Sequence, residues 1–399
     1  MHQVIRKRQG LPWAPEEPKG LAANSAHVVG VAVRAGPFPT DELGSAYGAR
    51  EHPKLVKQVT SEDDALRRKA LEHVCEMLRS AREIASFVPA GLVPALNTSA
   101  EHSSDAETRA LATAALLPLA RDLHGRGHML EGESSSVPVL LRLACDTEPR
   151  VRGNSLAVLI QLGKDVTGAR LLISGGCIKL LVRRCVEEDE PQNLISVIAA
   201  LRMAMDVQQE GLDEGIKEGA IATICKLLES RPSVHACEQG FYALATLTVG
   251  GPEKTAALEL GIMKLMLTMV GVDADGDREF PGEPPELVHR VSTAALAALM
   301  SLTIADECKM EAVRLGAVKA LVPLVAPALE AELGGNLDYR NSTQFANATK
   351  CIANLAEHPL GRSKLKAAAL MDLKPLADAA EPIVQKHTAI AVEKVEWMP

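Results

Sequence analysis

Aromatic side chains are nearly missing from this sequence, with two Trp, three Tyr and five Phe in 399 residues, 3% against 47% hydrophobic overall. Strand-rich cores lean on aromatic and β-branched residues. The core must instead be filled by Ala, Leu, Val and Ile, which suits closely packed helices. Paired CxxC cysteines are missing too. Cys75, Cys145, Cys177, Cys185, Cys225, Cys237, Cys308 and Cys351 mostly fall in apolar helical runs, and read as small buried hydrophobes of a reducing compartment. No apolar run reaches the roughly 20 residues of a membrane helix. The basic "IRKR" (Ile5–Arg8) meets "PEEPK" rather than an apolar stretch, so a secretory signal is not expected. A formal charge of −8 argues against nucleic acid as the main partner, because phosphate binding needs clustered Lys and Arg. The expected location is the cytoplasm, away from membranes.

Chemistry-bearing motifs fail one by one. In "VDADGDREF", Asp273, Asp275 and Asp277 alternate like a calcium loop, but Arg278 stands where the turn needs glycine and Pro284 where a bidentate Glu is required. "HGRGH" spaces His124 and His128 as helical metal ligands, yet Gly125 and Gly127 argue against a helix there. "VGGPEKT" (Val249–Thr255) lacks the spacing of a phosphate loop, and no GxSxG is present. Sequons at Asn97, Asn341 and Asn347 mean little without a secretory route. The expectation is a non-enzyme with no cofactor, metal or small-molecule substrate.

What the sequence does contain is a repeat. "PAGLVPAL" at Gly91, "SGGCIKLLV" at Gly176, "KEGAIATICKLL" at Gly219, "LGIMKLML" at Gly261 and "LGAVKALVPLV" at Gly316 each set a glycine before an apolar helix. Gly91 and Gly176 stand two periods apart, the middle copy "SSSVPVLLRL" lacking its glycine, and the next steps are 43 and 42 residues. That is the period of HEAT and armadillo units. Glycine suits a sharp helix-to-helix turn because it takes positive φ at no steric cost. Upstream of each turn lies a longer amphipathic helix, from "RRKALEHVCEML" to "FANATKCIANLA". His358-Pro359 stops the last of these, and a second amphipathic run follows at once.

The reading is all-α: a right-handed α-solenoid of about seven armadillo-type repeats over 41–380, with an irregular N-terminal extension over 1–40 and a C-terminal capping helix over 381–399. The extension has proline and glycine but no sustained period. Two Gly- and acid-bearing inserts, 271–286 and 327–343, lengthen the later units and are expected as loops. The terminal helix starts at Pro382, with Ile390 and Val395 expected to meet the core.

In an armadillo unit the last helix lines the concave face, where repeated Asn can hold an extended peptide and Trp can flank it. A column set on Asn354 steps back through Ser301, Thr246, Arg202 and Gln161 to Pro118 and Glu76, keeping Asn only once. Trp13 and Trp397 fall outside the repeats. Generic peptide capture, as in nuclear-import adaptors, therefore lacks its ladder, and one specialised partner is expected. Gln161, Arg202, Thr246, Ser301 and Asn354 are the candidate protein-binding residues of this column. Leu11, Trp13, Val29, Val31 and Phe38 are the candidate anchors of the extension.

Beyond the repeat, "SAYGAREHPKLVKQVTSEDDALRRKALEHVCEML" (45–78), "VRGNSLAVLIQL" with "GARLLISGG" (151–176), "NATKCIANLAEHPLGRSKL" (347–365) and "AIAVEKVEWMP" (389–399) resemble the radial spoke head 14 homologue family of armadillo-repeat proteins. The resemblance runs from about Ser45 to Pro399, with both ends its most specific part. It implies a non-catalytic structural subunit of the ciliary or flagellar axoneme, partnered by other radial spoke and axonemal proteins of the cytoskeleton. An armadillo adaptor or an assembly factor for axonemal complexes is the alternative.

Overall fold

The computed structural model describes residues 50–132, 135–230, 232–271, 280, 282–325, 339–368, 370–378 and 382–397. The extension with Leu11, Trp13, Val29, Val31 and Phe38, the Asp273–Asp277 run and most of both inserts lie outside the described residues. Every regular element among the described residues is helical. After α1 (Glu51–Val59), the first unit is a long helix α2 (Asp64–Met77), a short α3 (Ala81–Phe87) and a connecting α4 (Leu92–His102). The pattern repeats as α5 (Ala106–Arg121), α6 (Leu123–Leu130) and α7 (Val137–Leu143), then α8 (Pro149–Leu162), α9 (Val166–Ser174) and α10 (Cys177–Glu187). It continues through α11 (Pro191–Val207), α12 (Gln209–Lys217) and α13 (Ala220–Ser230), and α14 (Val234–Leu247), α15 (Gly251–Glu259) and α16 (Ile262–Val270). The last two units are α17 (Pro285–Leu302), α18 (Asp306–Arg314) and α19 (Ala317–Leu321), extended by a 3₁₀ turn, and α20 (Tyr339–Glu357), α21 (Pro359–Ala368) and α22 (Leu370–Leu376). An eighth long helix, α23 (Pro382–Glu396), closes the series.

Each long helix packs against the long helix of the next unit, from α2 on α5 to α20 on α23, so the long helices form one continuous layer. This is an α-solenoid, with one buried cluster running from Leu55 to Val395 and built almost wholly of Ala, Leu, Val, Ile and Met. The turn glycines explain its regularity. Gly91, Gly176, Gly219, Gly261 and Gly316 take φ of 87°, 80°, 79°, 76° and 95°, as their spacing predicts. A methyl built on any of them would meet nothing within 4 Å, so backbone handedness alone selects glycine there. The middle copy lacks its glycine at that place, as its sequence predicts: Ser136 precedes α7 at a φ of −73°, and a positive φ is taken earlier, by Gly132 at 60°.

Other glycines serve close approach. Gly125, Gly168, Gly211 and Gly361 sit third in α6, α9, α12 and α21, where a Cβ would overlap the carbonyl oxygen of Leu119, Leu162, Ala204 or Leu355 near the end of the preceding long helix. That contact corrects the expectation that Gly125 and Gly127 prevent a helix at His124–His128: α6 forms, and Gly125 lets it turn tightly off α5. His128 there lies 3.9 Å from Glu131, and no group of three potential ligands is assembled among the described residues.

Six of the eight cysteines are buried. Burial pushes the thiols of Cys185 and Cys351 up to about 12, which keeps them protonated. Cys145 departs from expectation by being exposed, because it falls in the turn after α7 rather than inside a helix. In α23, Val384, Ala391 and Val395 are buried, but Ile390 is exposed, since it lies off the row that faces α20. Trp397 does not stand apart from the repeats. The Arg362 guanidinium in α21 lies 4.4 Å from its ring centroid, a cation–π contact that ties the chain end to the last unit.

Candidate protein-binding face

The long-helix layer carries the column read from the sequence, and all five of its candidates are half-buried. Arg202 and Thr246, on neighbouring helices, meet through one carboxylate. Arg202 Nη1 donates to Asp206 Oδ2 at 3.0 Å, and Thr246 Oγ1 donates to Asp206 Oδ1 at 2.6 Å. Ser301 Oγ donates to the Thr248 carbonyl at 2.8 Å, tying α17 to the end of α14. Gln161 Oε1 accepts from Lys164 Nζ at 2.9 Å within its own turn. Asn354 is used inward: its Nδ2 donates to the Met300 carbonyl (3.2 Å) and to Thr303 Oγ1 (3.3 Å) on α17.

Asn154 repeats the Asn354 contact on α8, donating to the Ala110 carbonyl (2.9 Å) and Thr113 Oγ1 (3.3 Å) of α5. Asparagine on this layer therefore clips one long helix to the previous one, with its amide hydrogens taken up inside the protein. A column selected for asparagine alone misses what lies beside it. Leu117, Ile160, Met203, Tyr242 and Met300, one from each of α5, α8, α11, α14 and α17, are only partly covered and rest on the core. Leu117, Ile160, Met203 and Met300 are sequence neighbours of Pro118, Gln161, Arg202 and Ser301, a signal present in the sequence but outside the polar column. Burial raises the Tyr242 phenol pKa, as does nearby Glu238, against the opposing pull of Arg290 and Arg202, so the ring stays a neutral donor.

A second kind of site lies at the opposite ends of the long helices. The fourth residue of α2, α5 and α8 is Arg67, Arg109 and Arg152. Each guanidinium donates to a carbonyl of the link just before its helix and reaches into the link of the next unit, to Ser103, Asp146 or Glu188. Arg109 holds Asp146 with two bonds, 2.8 and 2.9 Å, and Arg152 holds Glu188 and Asp189, each as close as 2.6 Å. The Glu188 side chain is fully buried. Burial alone would raise its pKa, but hydrogen bonds from Arg152 and Arg184 outweigh that and bring it to about 2. These groups hold structure together; of them, Glu188 also lies at the wall of a cleft of about 500 Å³ with Leu194 and Lys226.

A groove of about 700 Å³ between α7, α9 and α10 is lined by Leu141, Leu171 and Leu180, with Arg142, Cys145 and Arg183 at its rim. Arg183 Nη2 lies 3.5 Å from Cys145 Sγ, and among the described residues no base is paired with that thiol.

No known family's sequence model matches the chain. Its fold is similar to that of solved engineered proteins. One engineered protein is 19% identical and covers 88% of this chain and 100% of its own, at a TM-score of 0.53. A designed armadillo repeat protein is 20% identical over 63% of this chain and 100% of its own, at 0.52. Another, solved in complex with the peptide (KR)4, is 18% identical over 63% of this chain and 99% of its own, at 0.53. The fold is therefore an armadillo-type solenoid.

Proposed function

We propose that the chain is a non-catalytic scaffold whose long-helix face holds protein partners, and that it serves as a structural subunit of the ciliary radial spoke. The observation that carries the scaffold reading is the continuous long-helix layer. It presents partly buried apolar side chains from five successive helices together with a hydrogen-bonded polar column, an extended surface of the kind stacked repeats offer. A designed armadillo repeat protein of similar fold was solved in complex with the peptide (KR)4, which supports a protein partner over a small molecule. Because Asn354 and Asn154 donate their amide hydrogens inward, backbone-only capture of any peptide is disfavoured and one shaped partner is favoured. The radial spoke assignment rests on the resemblance of 45–78, 151–176, 347–365 and 389–399 to the radial spoke head 14 homologue family.

Detergent and salt fractionation of cilia tests the assignment. The protein is expected to stay with the axoneme through detergent and to leave with the spokes at high salt; release into the detergent-soluble fraction would point to an assembly factor instead. Arg202→Glu combined with Gln161→Ala tests the face. The double variant is expected to keep its helical circular dichroism and to incorporate less. Incorporation at normal stoichiometry would exclude this face as the holding surface.

A further inference from the structure

The last long helix, α23, closes the series yet departs from what the end of a repeat stack requires. A terminal unit stays soluble by turning a polar outer face to water, and α23 does so only in part. Val384, Thr388, Ala391 and Val395 form its buried row. About a third of a turn round the helix stand Ile383, Ile390 and Trp397, at 42%, 40% and 53% exposure. Every other described helix exposes one large apolar residue at most, the single scattered occurrence of an ordinary surface.

The three residues are seven apart, two turns of helix, so they form a ridge with steps of about 10 Å that drifts only about 20° per step. Trp397 keeps this line past the last helical residue because its amide donates to the Glu393 carbonyl, and the Arg362 guanidinium packs against its ring. Ile390 is the midpoint of the ridge.

The charges are arranged about the same midpoint. On one flank stand Lys386, four residues before Ile390, and Glu393, three after it; both are exposed, and neither has an ion-pair partner among the described residues. On the other flank are His387 and Lys394. Lys394 is held by Glu357. Burial, aided by Lys350 and Lys386, lowers the His387 pKa, so that ring is neutral at neutral pH. Glu396, farther round, is paired with Lys374.

An antiparallel copy of α23 laid on this ridge, with a two-fold axis at Ile390, meets it in kind. Ile390 faces Ile390, Ile383 faces Trp397, and on one flank Lys386 faces Glu393 at nearly the same level, twice over. On the other flank neutral His387 faces Lys394 with its Glu357 carboxylate. A surface whose apolar ridge and charges both invert onto themselves is self-complementary, as a two-fold interface between identical chains must be.

We infer that α23 is a self-association helix: two copies of this chain join tail to tail through Ile383, Ile390 and Trp397, antiparallel, with Lys386 of each facing Glu393 of the other.

Sedimentation velocity of the full chain tests this. One helix face is small beside the roughly 1,600 Å² of a standard interface, so a reversible dimer with a Kd of about 10–100 μM is expected. Ile390→Asp replaces an exposed residue, is expected to keep the helical circular dichroism, and should weaken the dimer at least tenfold. Lys386→Glu and Glu393→Lys each set like charges against each other at two places and should also weaken it at least tenfold. An equimolar mixture of those two variants places opposite charges at both, and is expected to associate within threefold of the unaltered chain. Neither a parallel copy nor a helix of another protein produces that rescue. Arg202→Glu with Gln161→Ala is expected to leave the dimer within twofold, which separates this interface from the long-helix face. A chain that stays monomeric to about 100 μM, a dimer indifferent to Ile390→Asp, or a mixture of the two charge variants no tighter than either alone would overturn the inference.

Discussion

The first three units and the last three join their long helices by different means. In the N-terminal units the stitch is arginine at helix position four, reaching from one inter-unit link to the next through Asp146 and Glu188. In α14 and α17 those positions are apolar, Cys237 and Val288; Arg290 of α17 holds Glu238 of α14 at 3.0 Å near the same ends instead, and a further stitch appears at the far edge. There Lys309 reaches Glu357 at 2.6 Å, Lys394 meets the same carboxylate, and Arg362 Nε donates to the Ala356 carbonyl at 2.9 Å. Both inserts fall between α16 and α17 and between the 3₁₀ turn and α20, in the very links that the arginines clamp farther up the chain. A link carrying a clamp has its length fixed; one relieved of it can grow.

Breaking the buried clamp should have the largest effect. Arg152→Ala removes the main partner of the fully buried Glu188 and is expected to cost about 3 kcal/mol in urea unfolding. A loss below about 1 kcal/mol would show that Arg184 alone satisfies that carboxylate.

Acid should sharpen the contrast. A carboxyl held at about 2 when folded, against an ordinary 4.5, stabilises fully above the higher value and loses that contribution as pH falls toward the lower. Asp105 is likewise lowered to about 2, chiefly by the hydrogen bond from Thr108. Hydrogen exchange between about pH 4.5 and 2 is expected to open α5, α8 and α10 progressively, with a shallower pH dependence in Arg152→Ala; an unchanged slope in the variant would detach the pH effect from the clamp.

The C-terminal stitch should prove weaker. Lys309→Ala leaves Glu357 partly solvated and still beside Lys394, so about 1 kcal/mol is expected by the same measurement. A cost equal to that of Arg152→Ala would erase the distinction between the two halves. The smallest effect should come from chain length. Doubling the 271–284 link is expected to cost only about 0.6 kcal/mol by loop entropy, whereas the same residues added between Asp189 and Pro191 should cost as much as losing the clamp. Equal costs from the two insertions would mean that the clamp fixes nothing.

Much of this was legible in the sequence because the repeat writes itself in glycine. Gly91, Gly176, Gly219, Gly261 and Gly316 are determined by local backbone geometry, which a single position can reveal. The long helices were legible from apolar period for the same reason, and the stop at His358-Pro359 from proline chemistry. Contacts between units were not. That Asn354 turns its amide toward Met300, or that Arg152 reaches Glu188, depends on how neighbouring units are placed, which no local pattern states. The helix at His124–His128 was misjudged because helix propensity counts glycine as a cost, while here the missing Cβ of Gly125 admits the Leu119 carbonyl.

The turn glycines also carry a consequence about mirror symmetry. Around Gly176 there is room for a side chain and only the wrong hand of backbone to bear it. An L-alanine is expected to destabilise the fold there by about 1–2 kcal/mol, since left-handed backbone strains it. A D-alanine, introduced by chemical ligation, finds the same backbone its natural conformation and restricts the unfolded chain, so it should stabilise the fold by about 0.4–1 kcal/mol. A solenoid whose bends are selected in this way is, at each bend, discriminating between enantiomers rather than between sizes.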